Sequence, residues 1–442
     1  MHKGMKRFPK NLLKHLFSRN VLKSLAISIA LIIIGYFSNN WPLFTGENLS
    51  LYTRMEFIRN LFDSKEDDFS GAFFVNTSMD KQLIDVYEDG YQVGKTEITD
   101  RRKLLEFLKL LEKVDTAYEY IVIDLRFVEG LACQDSIGAE TDSQLFEQIK
   151  SMDRCVVATH HDLKLLGGLE PKAALADYKS TVTATNFVRY EYYDSIPSIP
   201  LYVYNELRKS NGLDTISYTT SNSLFGLYNE GGHLCQNSLF LEFSSKGFPK
   251  LKKLHTELGD SIFIEKFNYR DLGFDFIDHL DSGVIPEEEI LESLESCMKE
   301  AGQGSPPIVF IGNVLEDLHD TYAGLQPGVV ILYKAIRALQ EGKHLVNTWH
   351  YLILFFTYFL LCLFILKDKT VFNLLPQKFK EKWPFLMILF QLASLSTVLL
   401  VLDIIDIKWF GTTTNFVLVG LIFNILKLHV QFNKIKHNEK NN

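Results

Sequence analysis

The chain has 442 residues, enough for two or three domains, and it carries 46 basic and 54 acidic residues. Its acidity is concentrated between the first two of four apolar segments, where acidic residues outnumber basic ones by about 20. A surface of this charge repels phosphate groups, which argues against nucleic acid or anionic phospholipid as the partner of this part of the chain.

Four uncharged apolar segments predict transmembrane helices. Each is about 18–23 residues long, and a helix needs about 20 residues to cross the hydrocarbon core of a bilayer. The segments cover residues 24–46, 349–366, 383–402 and 409–426. No small-x-small cleavage site follows the first segment, which favours an uncleaved anchor, although a basic start and an apolar stretch are also typical of a cleaved signal peptide.

The charges that flank these segments predict their orientation. Residues 1–23 contain seven Lys or Arg and no acid, and the segments 367–382 and 427–442 are also basic. Basic loops stay on the cytoplasmic side of a membrane, so we expect both termini to be cytoplasmic. Residues 47–346 then form a folded domain outside the cytoplasm.

Short apolar runs alternate with amphipathic segments within this domain. Predicted strands cover residues 71–75, 120–125, 155–159, 181–187, 261–267 and 308–311, with a loose hairpin at 91–98. Predicted helices cover residues 48–63, 101–113, 142–150, 172–178, 199–209, 286–299 and 329–340. Asp100 and Asp142 are the expected N-caps of the second and third of these helices. The alternation predicts an α/β fold, a mostly parallel sheet covered by helices on both faces, with a polar insertion at about 211–260.

The order of these segments resembles the CHASE2 family of extracytoplasmic sensory domains. The clearest match is the strand IVFIG at 308–312, followed by DLHDT at 317–321 and QPGV at 326–329. Further segments that carry the resemblance lie at 72–75, 100–102, 121–127, 142–145, 156–157 and 197–201. Three membrane spans after the domain are also the usual arrangement of the family.

The chain departs from the family pattern at several points. Tyr322 stands where relatives typically have Pro, Leu332 and Tyr333 stand where the last helix often carries His, and the turn at 193–195 is reduced. Relatives usually continue into a kinase, cyclase or other output domain, whereas this chain ends about 16 residues after the last predicted span. We therefore expect a separate signalling partner. The resemblance also implies a bacterial cytoplasmic membrane, a periplasmic main domain and a homodimer.

Polar side chains follow several predicted strands, at the edge where parallel sheets bind their ligands. An Arg there could hold a carboxylate in a bidentate fork, and an Asp could accept hydrogen bonds from amines or hydroxyls. We predict a site for a small charged or zwitterionic ligand, without a cofactor, from Arg101, Asp124, Arg126, His160, Arg189, Asp317, His319 and Asp320.

Each of these residues also has a structural explanation. Asp124, Asp317 and Asp320 are more typical of turn or helix caps than of ligand-binding residues. Arg101 pairs as readily with Asp124 or Asp142 as with a ligand. His160 and its neighbour His161 point to opposite faces of an extended chain, so no metal site is predicted there without a further ligand such as His319.

The sequence lacks the common catalytic signatures. It contains no GxSxG elbow, no HExxH pair, no Walker lysine and no complete dinucleotide fingerprint, so we do not expect an enzyme. No CxxC or Cys/His metal spacing occurs either. The four cysteines of the predicted outer domain, at positions 133, 155, 235 and 297, form either four free thiols or two disulfides.

Three functions fit these observations. The first is a membrane-anchored extracytoplasmic sensor of CHASE2 type, which binds a small molecule and passes the signal to a separate partner. The second is a structural envelope protein that binds another protein. The third is a metal-dependent hydrolase that would use His160, His319 and the nearby aspartates.

Overall fold

The computed structural model divides the chain into two compact units, residues 59–345 and residues 1–58 together with 346–442. It describes residues 19–38, 69–88, 91–128, 136–160, 165–177, 179–180, 187–189, 192–193, 196–216, 227–230, 233–236, 238–241, 271–273, 286–321, 324–367, 398–399, 401–402, 404–405 and 416–441. The predicted helix at 48–63, the predicted strand at 261–267 and most of the predicted span at 383–402 lie outside these ranges.

Strands and helices alternate along the 59–345 unit. The strands are β1 Ala72–Asn76, β2 Lys81–Glu88, β3 Tyr91–Thr99, β4 Tyr120–Asp124, β5 Cys155–Thr159, β6 Ala173–Leu175, β7 Lys179–Ser180, β8 Phe187–Arg189, β9 Tyr192–Tyr193, β10 Ile196–Pro197, β11 Leu227–Glu230, β12 His233–Gln236, β13 Ser238–Phe240, β14 Asp271–Gly273, β15 Ile308–Gly312, β16 Leu318–Thr321 and β17 Gly324–Pro327. The helices are α2 Arg101–Lys113, α3 Ser136–Ser151, α4 Ile199–Ser210, α5 Glu287–Gly302 and α6 Gly328–Gln340, after α1 Arg19–Ser38 of the other unit.

A six-stranded sheet is the centre of the unit. Its strand order is β14-β1-β15-β4-β5-β6, and every neighbouring pair is parallel. The strands β1, β4, β5 and β15 are short apolar runs with almost no exposed residue, as expected for strands that are covered on both faces. The predicted mostly parallel sheet is confirmed.

Helices cover both faces of this sheet. On one face α4 and α6 pack against a cluster that includes Phe74, Val122 and Phe310. On the other face α2, α3 and α5 pack against a cluster that includes Val75 and Ile311. Successive strand residues alternate between the two clusters because strand side chains point to opposite faces in turn. The predicted α/β class with helices on both faces is confirmed.

Helix α2 begins where its sequence predicts. The Asp100 side chain accepts a hydrogen bond from the Lys103 backbone N–H at 3.0 Å, which satisfies one of the amides that a helix start leaves unpaired. The helix ends at Lys113, as predicted from its run of leucines.

Two predicted elements are wrong. Helix α3 begins at Ser136, so Asp142 lies inside the helix and is buried rather than serving as its N-cap. The segment predicted as a helix at 172–178 instead contains β6, which pairs in parallel with β5 at the edge of the main sheet. Its alanines favour a helix locally, but strand pairing and burial outweigh that small preference.

Smaller sheets surround the main one. The segment predicted as a loose hairpin at 91–98 is instead a single strand, β3, which pairs antiparallel with β2, a strand that was not predicted. Of the strand predicted at 181–187, only its last residue is described, at the start of β8. Within the predicted insertion at 211–260, β11 pairs with β12, and β13 pairs with β8 in a three-stranded sheet.

The second unit contains α1, α7 Thr348–Leu366 and α8 Phe416–Asn441. Among the described residues one helix, α7, has both the length and the apolar composition to cross a membrane, and α8 contains only the shorter apolar stretch Val419–Val430. The described part of the chain therefore offers one candidate span where the sequence predicts four. Helix α8 also continues through most of the predicted tail at 427–442, because no helix-breaking residue interrupts it.

Candidate functional site at the carboxyl edge of the sheet

Three neighbouring strands end at the same level. In the register of the sheet, Asn76 at the end of β1 pairs with Gly312 at the end of β15, and Gly312 pairs with Asp124 at the end of β4. Parallel sheets bind ligands beyond these carboxyl ends, where the chain turns away from the sheet. Asp124 is the acidic member of this row, and it lies next to the strand at the centre of the sheet.

The carboxyl group of Asp124 is strongly perturbed. Burial and the nearby carboxylate of Asp317 raise its pKa from 3.8 to about 7, although His160 and His319 lower it. Asp317, His160 and His319 therefore lie close enough to Asp124 to act on its charge, and the structure brings these four residues of the predicted site to one edge of the sheet. A carboxyl group with a pKa near neutrality either donates or accepts a hydrogen bond at physiological pH.

Asp317 and His319 reach this edge from the turn and hairpin that follow β15. The Nε2 atom of His319 lies 3.0 Å from Oδ1 of Asp317, and the hydrogen bond to Asp317 raises the pKa of His319. The Asp317 side chain is 46% exposed and the His319 side chain is 37% exposed. A ligand in solvent can therefore reach the Asp317–His319 pair, which lies near the less accessible carboxyl group of Asp124.

Two glycines allow these groups to approach the backbone. A Cβ at position 328, the first residue of α6, would lie 2.1 Å from Oδ2 of Asp317 and 3.4 Å from Nε2 of His319. A Cβ at position 312 would lie 2.5 Å from a methyl group of Val329. A side chain at either position would force the Asp317 carboxylate or the Val329 side chain to move. The positive end of the α6 helix dipole is adjacent to the Asp317 carboxylate.

Gln326 is the unexpected polar residue at this edge. It is fully buried, and neither its amide oxygen nor its amide nitrogen has a hydrogen-bond partner among the residues that the structure describes. In the β16–β17 hairpin it pairs directly with His319, so the two side chains lie on the same face of the hairpin. A buried amide without partners costs about 1–3 kcal/mol, which a ligand that pairs with it would recover.

His160 follows β5 at the same edge. Its Nδ1 atom lies 2.9 Å from Oδ1 of Asp177, which follows β6. Both side chains are partly exposed. This pair extends the polar row from the centre of the sheet toward β6, and sequence reasoning missed Asp177 because its segment was predicted to be helical.

Asn76 has a structural role at this edge. Its side-chain oxygen accepts hydrogen bonds from the Ser78 and Val314 backbone N–H groups, at 3.0 and 3.3 Å. These bonds join the turn after β1 to the turn after β15. They position the chain that leads to Asp317.

Arg101 and Arg126 occupy different environments. Arg101 is buried, with its guanidinium 4.4 Å above the ring of Phe127 and its Nε atom 3.9 Å from Oδ1 of Asp142. Its Nη2 atom also donates to the backbone carbonyl of Arg126 at 3.4 Å, while the Arg126 side chain is exposed. Of the two predicted roles for Arg101, pairing with Asp142 and binding a ligand, the structure shows the first.

The remaining predicted site residues lie in strands. Arg189 belongs to β8 of the three-stranded sheet, and Asp320 belongs to β16, in register with Leu325.

A second polar cluster, buried among α4, β11 and the segment after α6, was not predicted. Nε2 of His344 lies 2.6 Å from Oε2 of Glu230, and Oε1 of Glu230 accepts hydrogen bonds from Tyr204 at 3.0 Å and Arg208 at 2.9 Å. The Cys235 thiol donates to Oε2 at 3.8 Å. Burial raises the pKa of Glu230, but its hydrogen bonds and the charges of His344 and Arg208 outweigh this and hold it below its usual range.

Cys155, Cys235 and Cys297 are free thiols. Burial and the neighbouring Glu230 carboxylate raise the pKa of Cys235 to about 12, so the thiol is protonated in this arrangement. Of the two alternatives left open by the sequence, the structure shows free thiols at three of the four predicted outer cysteines. Cys133 lies outside the described residues.

Comparison of the chain with protein-family models, with curated proteins and with solved structures gave no match. The resemblance to the CHASE2 family therefore depends on the segments described above and stays a prediction. Function has to be argued from the site itself.

Proposed function

We propose that the 59–345 unit binds a small polar molecule at the carboxyl edge of its sheet and acts as the sensory part of the protein. The observation that carries this proposal is the convergence of Asp124, Asp317 and His319 on one edge, together with Gln326, whose buried amide has no partner among the described residues. A carboxyl group whose pKa is shifted by burial and by neighbouring charged side chains is typical of binding sites.

The chemistry of the site favours a ligand rich in hydrogen-bond donors. Asp317 offers carboxylate oxygens that are accessible from solvent, and Asp124 accepts from a donor in its ionised form. The side-chain amide of Gln326 both donates and accepts hydrogen bonds. It therefore favours a ligand that has a hydroxyl or carbonyl group in addition to the amine or hydroxyl group that donates to the aspartates. Amines, amino acids and polyols have these features.

The hairpin that carries the site leads directly into helix α6. The Gly328 backbone N–H donates to the Asp317 carbonyl at 2.9 Å, so a movement of Asp317 acts on the first residue of the helix. Residues 341–347 then connect α6 to α7 along the chain. We infer that ligand binding favours one arrangement of the hairpin and α6, with a coupling of about 1–3 kcal/mol, as is common for such switches.

We further propose that the protein is anchored in a cytoplasmic membrane, with the 59–345 unit outside. The apolar α7 helix and the basic segments 1–23 and 367–382 favour this arrangement. The additional spans at 24–46, 383–402 and 409–426 belong to the same proposal, since they follow from composition. A signal carried by α6 would pass to a separate membrane or cytoplasmic partner.

A thermal-unfolding screen of the full-length, detergent-solubilised protein tests the ligand site. The probes are a polyamine, a set of amino acids and a set of polyols, each at constant ionic strength. We expect at least one class to raise the melting temperature of the wild-type protein by several degrees, since a ligand that binds only the folded state stabilises it.

Two site variants and one control variant make the screen specific. The shift should be lost in Gln326→Leu and reduced in Asp317→Asn, and it should persist in Asp153→Asn, which changes an exposed carboxylate just before β5, at the opposite edge of the sheet. A shift that survives both site substitutions would place the ligand elsewhere. The absence of a shift with all three probe classes would remove the support for this ligand chemistry.

A further inference from the structure

We propose that Glu230, Cys235 and His344 form a binding site for one divalent transition-metal ion of the zinc type. The three residues offer a carboxylate oxygen, a sulfur and an imidazole nitrogen that all lie within 4.8 Å of one another. All three side chains are buried, at 4%, 0% and 1% exposure. This site is distinct from the carboxyl edge of the sheet and does not depend on the ligand proposed there.

The distances within the triad suit a metal ion. Around zinc, bonds of about 2.0 Å to nitrogen and oxygen and about 2.3 Å to sulfur place tetrahedral ligand atoms about 3.3–3.6 Å apart. The Glu230 Oε2 atom lies 2.6 Å from His344 Nε2 and 3.8 Å from Cys235 Sγ. The third pair, Cys235 Sγ and His344 Nε2, lies within 4.8 Å. Displacements of about 1 Å, within the reach of side-chain rotation, would bring the three atoms to coordination distances.

The surroundings of Glu230 are those of a metal ligand. Its Oε1 atom is held by the Tyr204 hydroxyl and the Arg208 guanidinium, which leaves Oε2 on the side of Cys235 and His344. A ligating carboxylate is usually fixed by hydrogen bonds to its second oxygen in this way. The positive charge of Arg208 also offsets part of the negative charge that a thiolate and a carboxylate bring to a dry site.

The donor set identifies the class of ion. A sulfur, a nitrogen and a carboxylate oxygen together suit zinc and the neighbouring transition metals, whereas magnesium and calcium prefer oxygen alone. Three protein ligands leave a fourth position for water. On binding, the Cys235 thiol transfers its proton to solvent and coordinates as a thiolate.

A metal ion bound by the triad would link two separate segments of the 59–345 unit. Glu230 and Cys235 belong to the β11–β12 hairpin, and His344 lies just beyond the end of α6. The backbone of Cys235 also forms a bridge with Leu345. A bound ion would therefore clamp the end of the 59–345 unit to this hairpin.

Metal binding is measured on the full-length protein, purified without a polyhistidine tag and stripped with a chelator. Zinc titrated against a chromogenic chelator should bind with one high-affinity equivalent per chain. Cobalt in place of zinc should give a thiolate-to-metal charge-transfer absorption. In Cys235→Ser we expect at least a tenfold loss of zinc affinity and loss of this absorption, while the control Cys297→Ser, a thiol outside the triad, should keep both.

A zinc X-ray absorption spectrum of the wild-type protein removes any dependence on the folding of the variant. The proposal predicts one sulfur and two or three nitrogen or oxygen ligands. It is overturned if no zinc is retained, if the ligand shell contains no sulfur, or if the Cys235→Ser protein binds zinc as tightly as the wild type.

Discussion

The substitution Asp124→Asn should stabilise the protein at neutral and alkaline pH. Asn has the same shape as Asp but carries no charge, and the charge is what this position disfavours. Burial and the Asp317 carboxylate raise the pKa of Asp124 from 3.8 to about 7, so the folded protein resists ionisation that the unfolded chain undergoes freely.

The magnitude follows from this shift. Below the unfolded pKa of 3.8 the carboxyl group is protonated in both states, and the wild type carries no penalty. As the pH rises toward about 7, the unfolded chain loses its proton first, and the wild type loses stability. At about 1.4 kcal/mol for each pH unit the full penalty is about 4 kcal/mol, and partial access of water to the site reduces the expected gain for Asn to about 2–4 kcal/mol.

Thermal unfolding followed by circular dichroism measures this gain. None of the four tryptophans lies in the 59–345 unit, so tryptophan fluorescence would not report on it. For a unit of this size about 2 °C corresponds to 1 kcal/mol, so we expect Asp124→Asn to melt about 4–8 °C above the wild type at pH 8 and within about 1 °C of it at pH 4.

The control is Asp153→Asn, an exposed carboxylate at the opposite edge of the sheet, which should follow the wild type at every pH. A buried, disfavoured charge at position 124 would be ruled out if Asp124→Asn were less stable than the wild type at pH 8, or if the two proteins lost stability in parallel between pH 4 and pH 7.

Three further substitutions test the site and the fold. Gly328→Ala places a methyl group against the Asp317 carboxylate, 2.1 Å from Oδ2, so it should cost about 1–3 kcal/mol in thermal unfolding, whereas Gly94→Ala meets no atom within 4 Å and should cost about 1 kcal/mol at most. Gln326→Leu removes a buried amide that has no partner among the described residues, so the free energy of unfolding of the unliganded protein should rise by about 1–3 kcal/mol. A melting temperature below that of the wild type would contradict this assignment. Asp100→Ala removes the cap of α2 and should cost about 1 kcal/mol, and an unchanged urea midpoint would show that the cap contributes nothing.

The architecture was predictable from the sequence because its central strands are short, continuous apolar runs. The strand Ile308–Gly312 and the helix that begins at Gly328 both lie within one residue of their predicted starts. The prediction was wrong at Ala173–Leu175, where pairing with β5 overrides a local preference for helix. Tertiary contacts of this kind leave no periodicity in the sequence.

The candidate site was predictable only in part. Asp124 lies near the end of a predicted strand and His160 follows another, so their place at the carboxyl edge follows from the parallel sheet. The role of Gln326 depends on the register of the β16–β17 hairpin, which the sequence does not specify. Arg101 was a reasonable ligand-binding candidate, but its contact with Asp142 arises from the packing of α2 on α3.

The buried cluster had no signal in the sequence. Glu230 and His344 are 114 residues apart, and the Glu230–Cys235 spacing matches no common metal motif. Only the packing of the β11–β12 hairpin against the end of α6 brings them together. Sites assembled in this way from separate segments are visible once the fold is known.

Hydrogen–deuterium exchange of the full-length protein measures whether a ligand binds at the carboxyl edge of the sheet. Exchange is compared with and without the amine, amino acid or polyol that raises the melting temperature. We expect slower exchange in peptides that cover the end of β4, residues 313–327 and the first turn of α6, and no such change in Gln326→Leu. Protection confined to other segments, or equal protection in Gln326→Leu, would contradict a ligand site at this edge.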